Sequence, residues 1–145
     1  MVVEKFIGAN NLQFEIVECD ETHITDIKEF CSNVDIENNT SLKSIKFGKW
    51  GALEKWWAVY HKGKIISLSG SHYLPHVNKD CYVIAYRLAT LEEFKGMASD
   101  KVSSRMLNDF GMGKMLPYQV NWCLDKGAEM IVATFNSDAN EKAYR

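Results

Sequence analysis

The run Cys81–Ala89 (CYVIAYRLA) is nearly continuous in apolar and aromatic residues, and no other segment constrains the fold as strongly. It is far too short to cross a bilayer as a helix. A run of this kind suits a central strand covered on both faces, and that in turn requires helices packed on a sheet. Two further β-rich runs, Trp56–His61 and Lys64–Ser71, are joined by Lys62-Gly63. Glycine supplies the positive φ of a tight turn, so the pair predicts an antiparallel hairpin. Leu12–Cys19 alternates Leu12, Phe14 and Ile16 against Gln13 and Glu15 and reads as another strand. Glu129–Phe135 (EMIVATF) reads as a last one.

Helical spacing accounts for much of the rest. Asp20 and Thr22 offer N-caps to a short amphipathic helix carrying Ile24, Ile27, Phe30 and Cys31. Val102, Met106, Leu107 and Phe110 form a second stripe, with caps at Ser99 or Asp100. Leu116, Val120, Cys123, Leu124 and Gly127 form a third, stopped at Lys126-Gly127. The polar stretch Ser32–Gly51 holds either a short helix or a loop. The predicted order is β-α-(loop)-β-β-β-α-α-β, a mixed α/β (α+β) sheet flanked by helices, without repeats or an internal linker. The whole of 1–145 reads as one domain, of ordinary size for a chain of 145 residues.

Composition narrows the function. With 46% hydrophobic and 25% charged residues the chain is ordinary globular protein. A net charge of -2 without a basic block argues against a nucleic-acid partner. No membrane segment or signal peptide is visible. Cys19, Cys31, Cys81 and Cys123 include no C-x-x-C pair, and read as reduced, mostly buried thiols of a cytoplasmic protein.

The segment that carries chemistry is Gly111-Met112-Gly113-Lys114, directly before the third helix. Two glycines let backbone approach a ligand, and a helix start adds N–H donors and a positive dipole end. Together they suit an anion, a pyrophosphate most naturally, with Lys114 to assist. The rival reading is a plain helix–helix turn.

The run GMGKMLPYQVNWCLDKGAEMIVATFNSDANEKAY resembles the GNAT (GCN5-related) N-acetyltransferase pattern: glycine-rich loop, helix, glycine, strand, Asn-x-x-Ala and a tyrosine. Asn136-Ser137-Asp138-Ala139 fits the Asn-x-x-Ala, and Tyr144 stands near the tyrosine. Leu88–Gly96 resembles that family's fourth strand and its following turn, so the resemblance covers mainly 81–145. It implies a largely antiparallel sheet with a V-shaped opening between the fourth and fifth strands. It also implies acetyl-CoA (CoA) as co-substrate and an amine as acceptor. The backbone of Leu88, Ala89 and Thr90 would pair with the pantetheine arm, and Gly111, Met112, Gly113 and Lys114 would hold the pyrophosphate. Asn136 would sit where the strands splay, and Tyr144 would be the general acid. No metal is implied.

The chain departs from the pattern in several places. Asn108 stands where the family has Arg or Gln, and Met97–Phe110 separates strand end from loop, which makes Lys95-Gly96-Met97-Ala98 a competing loop. Pro117 requires the helix to start late or kink. Tyr144 is shifted by one residue, and the chain stops at Arg145 where the family continues with a helix and two strands. A truncated product, an edge supplied by a partner chain, or a C-terminally shortened variant each fit. An open edge after Phe135 predicts a homodimer.

Other candidates have simple readings beside functional ones. His72 and His76 flank Pro75 and read as solvated loop histidines or, near the acceptor, as general bases; His72 is the preferred candidate. Of Trp56 and Trp57, one is expected in the core and one at its rim. Tyr82 and Tyr86 share even spacing and are expected on one strand face.

Overall fold

The computed structural model describes residues 1–34, 54–76, 79–100 and 105–133. Six strands form one sheet, β1 (Val2–Ile7), β2 (Gln13–Glu18), β3 (Glu54–His61), β4 (Lys64–His76), β5 (Lys79–Thr90) and β6 (Met130–Ala133). They lie in chain order; β1 to β5 are antiparallel neighbours, and β6 joins β5 in parallel. The helices are α1 (Ile24–Asn33), α2 (Arg105–Asn108) and α3 (Leu116–Asp125), with a π-helical turn at Gly111–Met115 leading into α3. None of the described helices is long and apolar enough to cross a membrane.

The sequence-predicted elements recur with shifted ends. The hairpin turn is where Lys62-Gly63 places it, both residues at positive φ (49° and 78°). Asp20 and His23 exchange capping bonds around a 3-10 turn that leads into α1: the Thr22 N–H donates to Asp20 Oδ1 at 2.9 Å, and the Asp20 N–H to His23 Nδ1 at 3.0 Å. Gly127, at φ 85°, ends α3, and the Gly127 and Ala128 N–H groups close on the carbonyls of Leu124 and Cys123. β1 was not predicted. None of its residues is fully buried, and Val2, Lys5 and Ile7 are exposed; Val2-Val3-Glu4-Lys5-Phe6-Ile7 lacks the alternation by which strands are recognised. This extra strand moves the expected opening to β5 and β6, the fifth and sixth strands in this chain.

The sheet is covered on both faces. Val17, Trp56, Ala58, Leu68 and Ala89 pack with Ile27 and Phe30 of α1. Phe14, Ile16, Trp57, Val59 and Ile66 pack on the other face with Phe110 and Met115. Both tryptophans are therefore core residues, each 2% exposed, where one had been expected at the rim: adjacent strand residues point to opposite faces, and here both faces are buried. In α3, Leu116, Val120 and Cys123 pack inward as expected, but the most buried line is shifted. Met115, Gln119 and Cys123 line it, whereas Leu124 is 57% exposed. Polar Gln119 in the middle of that stripe hid its phase from the sequence pattern. All four cysteines are free thiols, and burial pushes Cys19 up to about 12 and Cys123 up to about 11.

Pro117 lies in the first turn of α3. Its ring cannot donate a hydrogen bond and crowds the carbonyl four residues back. The wider π-helical turn ahead of it accommodates both demands, so the chain enters α3 without a break.

Candidate functional site

The site is built around an irregular strand. Opposite β4, β5 carries Val83 against His72, Tyr86 against Gly70 and Ala89 against Leu68. Two residues of β5 therefore face one of β4 twice over, the signature of β-bulges, which bend a strand and increase its twist. At the first bulge Ala85 adopts a left-handed conformation, φ 52°, rare for a residue with a Cβ. The parallel ladder to β6 runs from Cys81↔Met130 to Ile84↔Ala133, one residue short of that bulge. Among the described residues, no strand pairs with β5 on this side beyond Ile84. The Tyr86 side chain, expected on the same face as Tyr82, lies outside the described residues.

The glycine segment packs directly on this part of β5. A Cβ on Gly111 would lie 2.5 Å from Leu88 Cδ2, so glycine at 111 lets the turn press against the strand without moving the leucine side chain. Leu88 and Gly111, far apart in sequence, are thus brought together. Ala89 is buried on the α1 face, and Thr90 Oγ1 lies 2.8 Å from the buried Ser67 Oγ, which also donates to the Ala89 carbonyl at 3.1 Å.

Within the turn, several N–H groups already have partners. Met112 N–H donates to Asp109 Oδ2 at 2.7 Å, and Gly113 N–H donates to the Asp109 carbonyl at 2.8 Å. Lys114, expected beside a phosphate, has its ammonium 4.3 Å from the centre of the Phe6 ring, a cation–π contact. The competing loop at Lys95–Ala98 is used structurally: the Met97 carbonyl accepts from Ala9 N–H at 2.9 Å, and Ala98 N–H donates to the Asn108 carbonyl at 3.0 Å.

His72 is not in a loop. It is a half-buried residue of β4, between Glu54 of β3 and Val83 of β5. Gly70, two residues before it, lies against the Trp56 ring on the α1 side, so His72 shares that face. Its Nδ1 is 3.1 Å from the Tyr73 carbonyl. A carbonyl only accepts, so in the neutral ring this bond puts the hydrogen on Nδ1 and leaves Nε2 as the basic nitrogen. Glu54 shares the α1 face with Trp56 and accepts its Nε1–H at 2.8 Å. Asn136, Tyr144 and the His76 side chain lie outside the described residues, as does the edge at 134–145 on which the expected pairing of two copies rests.

Sequence reasoning missed Glu54, Asp109 and Gln119. Glu54 was open to discovery, since it stands two residues before Trp56 in a strand. Asp109 stands two residues before the glycine segment as a capping-type residue. Gln119 offered no signal but its polarity inside an otherwise apolar helix face.

α3 is fastened at its outer side as well. Tyr118 Oη donates to Glu4 Oε1 of β1 at 2.6 Å. Burial, and then this bond to a carboxylate, push the phenol up to about 12 from 10.0. Because the folded state raises this pKa, the bond's stabilisation is complete below pH 10.0 and is lost as pH rises through about 12. Tyr118→Phe is expected to lower Tm at pH 8 and to converge on wild type toward pH 12; thermal melts across that range check it. A constant difference at every pH would show that the bond is not what the substitution removes.

No family model matches this chain, and no curated protein matches it. Solved structures do. The GNAT domain of PAT from S. lividans matches over 97% of this chain and 82% of its own, with TM-score 0.65 and 10% identity. An aminoglycoside acetyltransferase from an uncultured soil metagenomic sample covers 90% of this chain and 82% of its own, at TM-score 0.58 and 13% identity. A predicted acetyltransferase from Clostridium acetobutylicum, solved with acetyl-CoA, covers 90% and 86% at TM-score 0.56 and 15% identity. The likeness read over 81–145 thus extends to the N-terminal strands: the chain has the fold of the GNAT acetyltransferases.

Proposed function

We propose that this chain is an N-acyltransferase that moves an acyl group, most simply acetyl, from acyl-CoA to an amine by direct attack. One observation carries the reading. The glycine turn at the head of α3 packs on Leu88 of β5, beyond the left-handed bulge at Ala85 and close to the end of the strand. An extended arm would run along β5 at Leu88, Ala89 and Thr90, as an added strand does, with its phosphates toward Gly111–Lys114. The turn lies on one face of the sheet and His72 on the other. A thioester threaded through the expected opening would therefore present its carbonyl to an amine on the α1 side.

There His72 Nε2 takes the proton from the attacking ammonium. The amine nitrogen bonds to the thioester carbonyl carbon, the C–S bond breaks, and the electron pair leaves with the CoA sulfur as thiolate. Tyr144 is the proposed acid that protonates this sulfur, and Asn136 the residue at the splay. Two acetyltransferases of known structure with this fold, one solved with acetyl-CoA and one an aminoglycoside enzyme, support the substrate classes.

A second reading has its own support: a domain that keeps the fold and has little donor affinity. Asp109 occupies the Met112 N–H, and Lys114 is engaged on Phe6. Calorimetric titration with acetyl-CoA and free CoA separates the two. The wild type is expected to bind in the micromolar range, about -8 kcal/mol, and Gly113→Glu, which puts bulk and negative charge into the turn, to lose binding. CoA release with a panel of amines then tests transfer. A folded wild type that binds neither ligand ends the acyltransferase reading.

A further inference from the structure

Among the described residues four buried side-chain atoms have no hydrogen-bond partner, and three of them, Ser69 Oγ, Ser71 Oγ and Gln119 Nε2, lie on β4 and α3. Ser69 and Ser71 alternate with Leu68 and Gly70, so they share one face of β4. Ser69 stands directly opposite Trp57, which packs with Met115 and whose ring lies 6.2 Å from that of Trp122. This face is therefore the one that α3 covers. The register along the helix follows from its two ends. Met115 packs with Ile66, and the Ser71 hydroxyl is close enough to the Cys123 thiol to oppose the upward push of burial on it. Gln119 is four residues from Met115 and four from Cys123, on the same helix face, and so stands over the part of β4 that carries Ser69. A hydroxyl or amide buried without a partner is unfavourable, and alanine in place of either serine would remove that cost.

We infer that the seam between β4 and α3 is a binding site for one buried water molecule, held by Ser69 Oγ, Ser71 Oγ and Gln119 Nε2. Three hydrogen bonds is the usual number for an internal water. The Gln119 amide donates to it, and each hydroxyl either donates or accepts. Alternate residues on one strand face stand about 6.6 Å apart, a span that two hydrogen bonds of about 2.8 Å through one oxygen nearly cover. All three groups are neutral, which suits water and leaves an ion nothing to neutralise it. The middle turn of α3 thus rests on the sheet through a water, while Met115 and Cys123 on either side of it make direct contacts. The site stands whether or not the chain binds acetyl-CoA.

The sign of a stability change in the full chain tests the site. Without the water, each serine hydroxyl is a cost that alanine removes, so Ser69→Ala and Ser71→Ala would leave Tm level or raise it. With the water, each substitution takes away one of its three partners, and each is expected to lower Tm by about 2–4 °C. A Tm that stays level or rises in either variant overturns the three-point site. A crystal structure of the wild type that orders internal waters reads the ligand directly. It is expected to hold one water within about 3.2 Å of Ser69 Oγ, Ser71 Oγ and Gln119 Nε2, and the same crystals of Ser69→Ala to show it weakened or lost. Direct bonds among the three side chains with no water between them overturn the site even if both melting temperatures fall, since the serines would then act on each other and on Gln119 alone.

Discussion

Phe14→Ala is expected to lower the unfolding free energy by about 3–5 kcal/mol, the range for truncating a fully buried aromatic side chain. Phe14 is 1% exposed, and its ring lies 4.9 Å from that of Phe110, 5.4 Å from Phe6 and 5.2 Å from His61. The cavity left behind would open among side chains from β1, β3 and the segment entering the glycine turn. Those elements are tied at several points, including the Ala9 N–H bond to Met97, so little collapse is available to fill it. Urea denaturation at constant m gives the number, with exposed Leu124→Ala as a control within about 0.5 kcal/mol of wild type. A loss below about 1 kcal/mol would show that the aromatic cluster repacks. Because Phe110 precedes Gly111, the same substitution should also weaken acetyl-CoA binding at temperatures where the variant is still folded.

Removing the carboxylate of Asp109 is expected to have the opposite effect on the ligand. Asp109 Oδ2 accepts the Met112 N–H at 2.7 Å, one of the N–H groups proposed to receive the pyrophosphate. A hydrogen bond to a charged group contributes about 1.5–3 kcal/mol, and an incoming pyrophosphate must break it while meeting a like charge. Asp109→Ala makes that N–H available, and acetyl-CoA affinity should rise about tenfold or more, 1.4 kcal/mol per tenfold. Asp109→Asn keeps the acceptor and loses the charge, so it should fall between the two. The gain should shrink at high salt, where the repulsion is screened. Titration of the three proteins at two salt concentrations reads this directly. If Asp109→Ala binds more weakly than wild type, the carboxylate shapes the turn for the donor instead of competing with it.

What the sequence disclosed and what it hid divide along physical lines. Lys62-Gly63, Lys126-Gly127, the alternation at Phe14 and Ile16 and the unbroken run at Cys81–Ala89 each act locally, so each could be read from neighbouring residues. The bulge at Ala85 could not. Alanine carries no signal for positive φ, and the Ala85 N–H is bonded by Gln119, 34 residues away. The same holds for the packing of Gly111 on Leu88, which made a loop of expected free N–H groups into a wound turn closed by Asp109. Residues 111–114 were selected for their chemistry; their geometry came from partners that only tertiary contacts supply.

The order of the strands has a kinetic consequence. β1 to β5 lie side by side in the order in which they occur in the chain; β1–β2, β3–β4 and β4–β5 close short loops, whereas α1 and the rest of 19–53 separate β2 from β3. β6 is different: it joins β5 in parallel, and between Thr90 and Met130 the chain must cross over and lay down α3 first. Such non-local closure is slow and costs the most entropy before any contact rewards it. β6, the one parallel neighbour among the described strands, thus has a long crossover to close before it can pair. A nascent or partly unfolded chain would hold the local β3–β4–β5 meander before β6 closed on its edge.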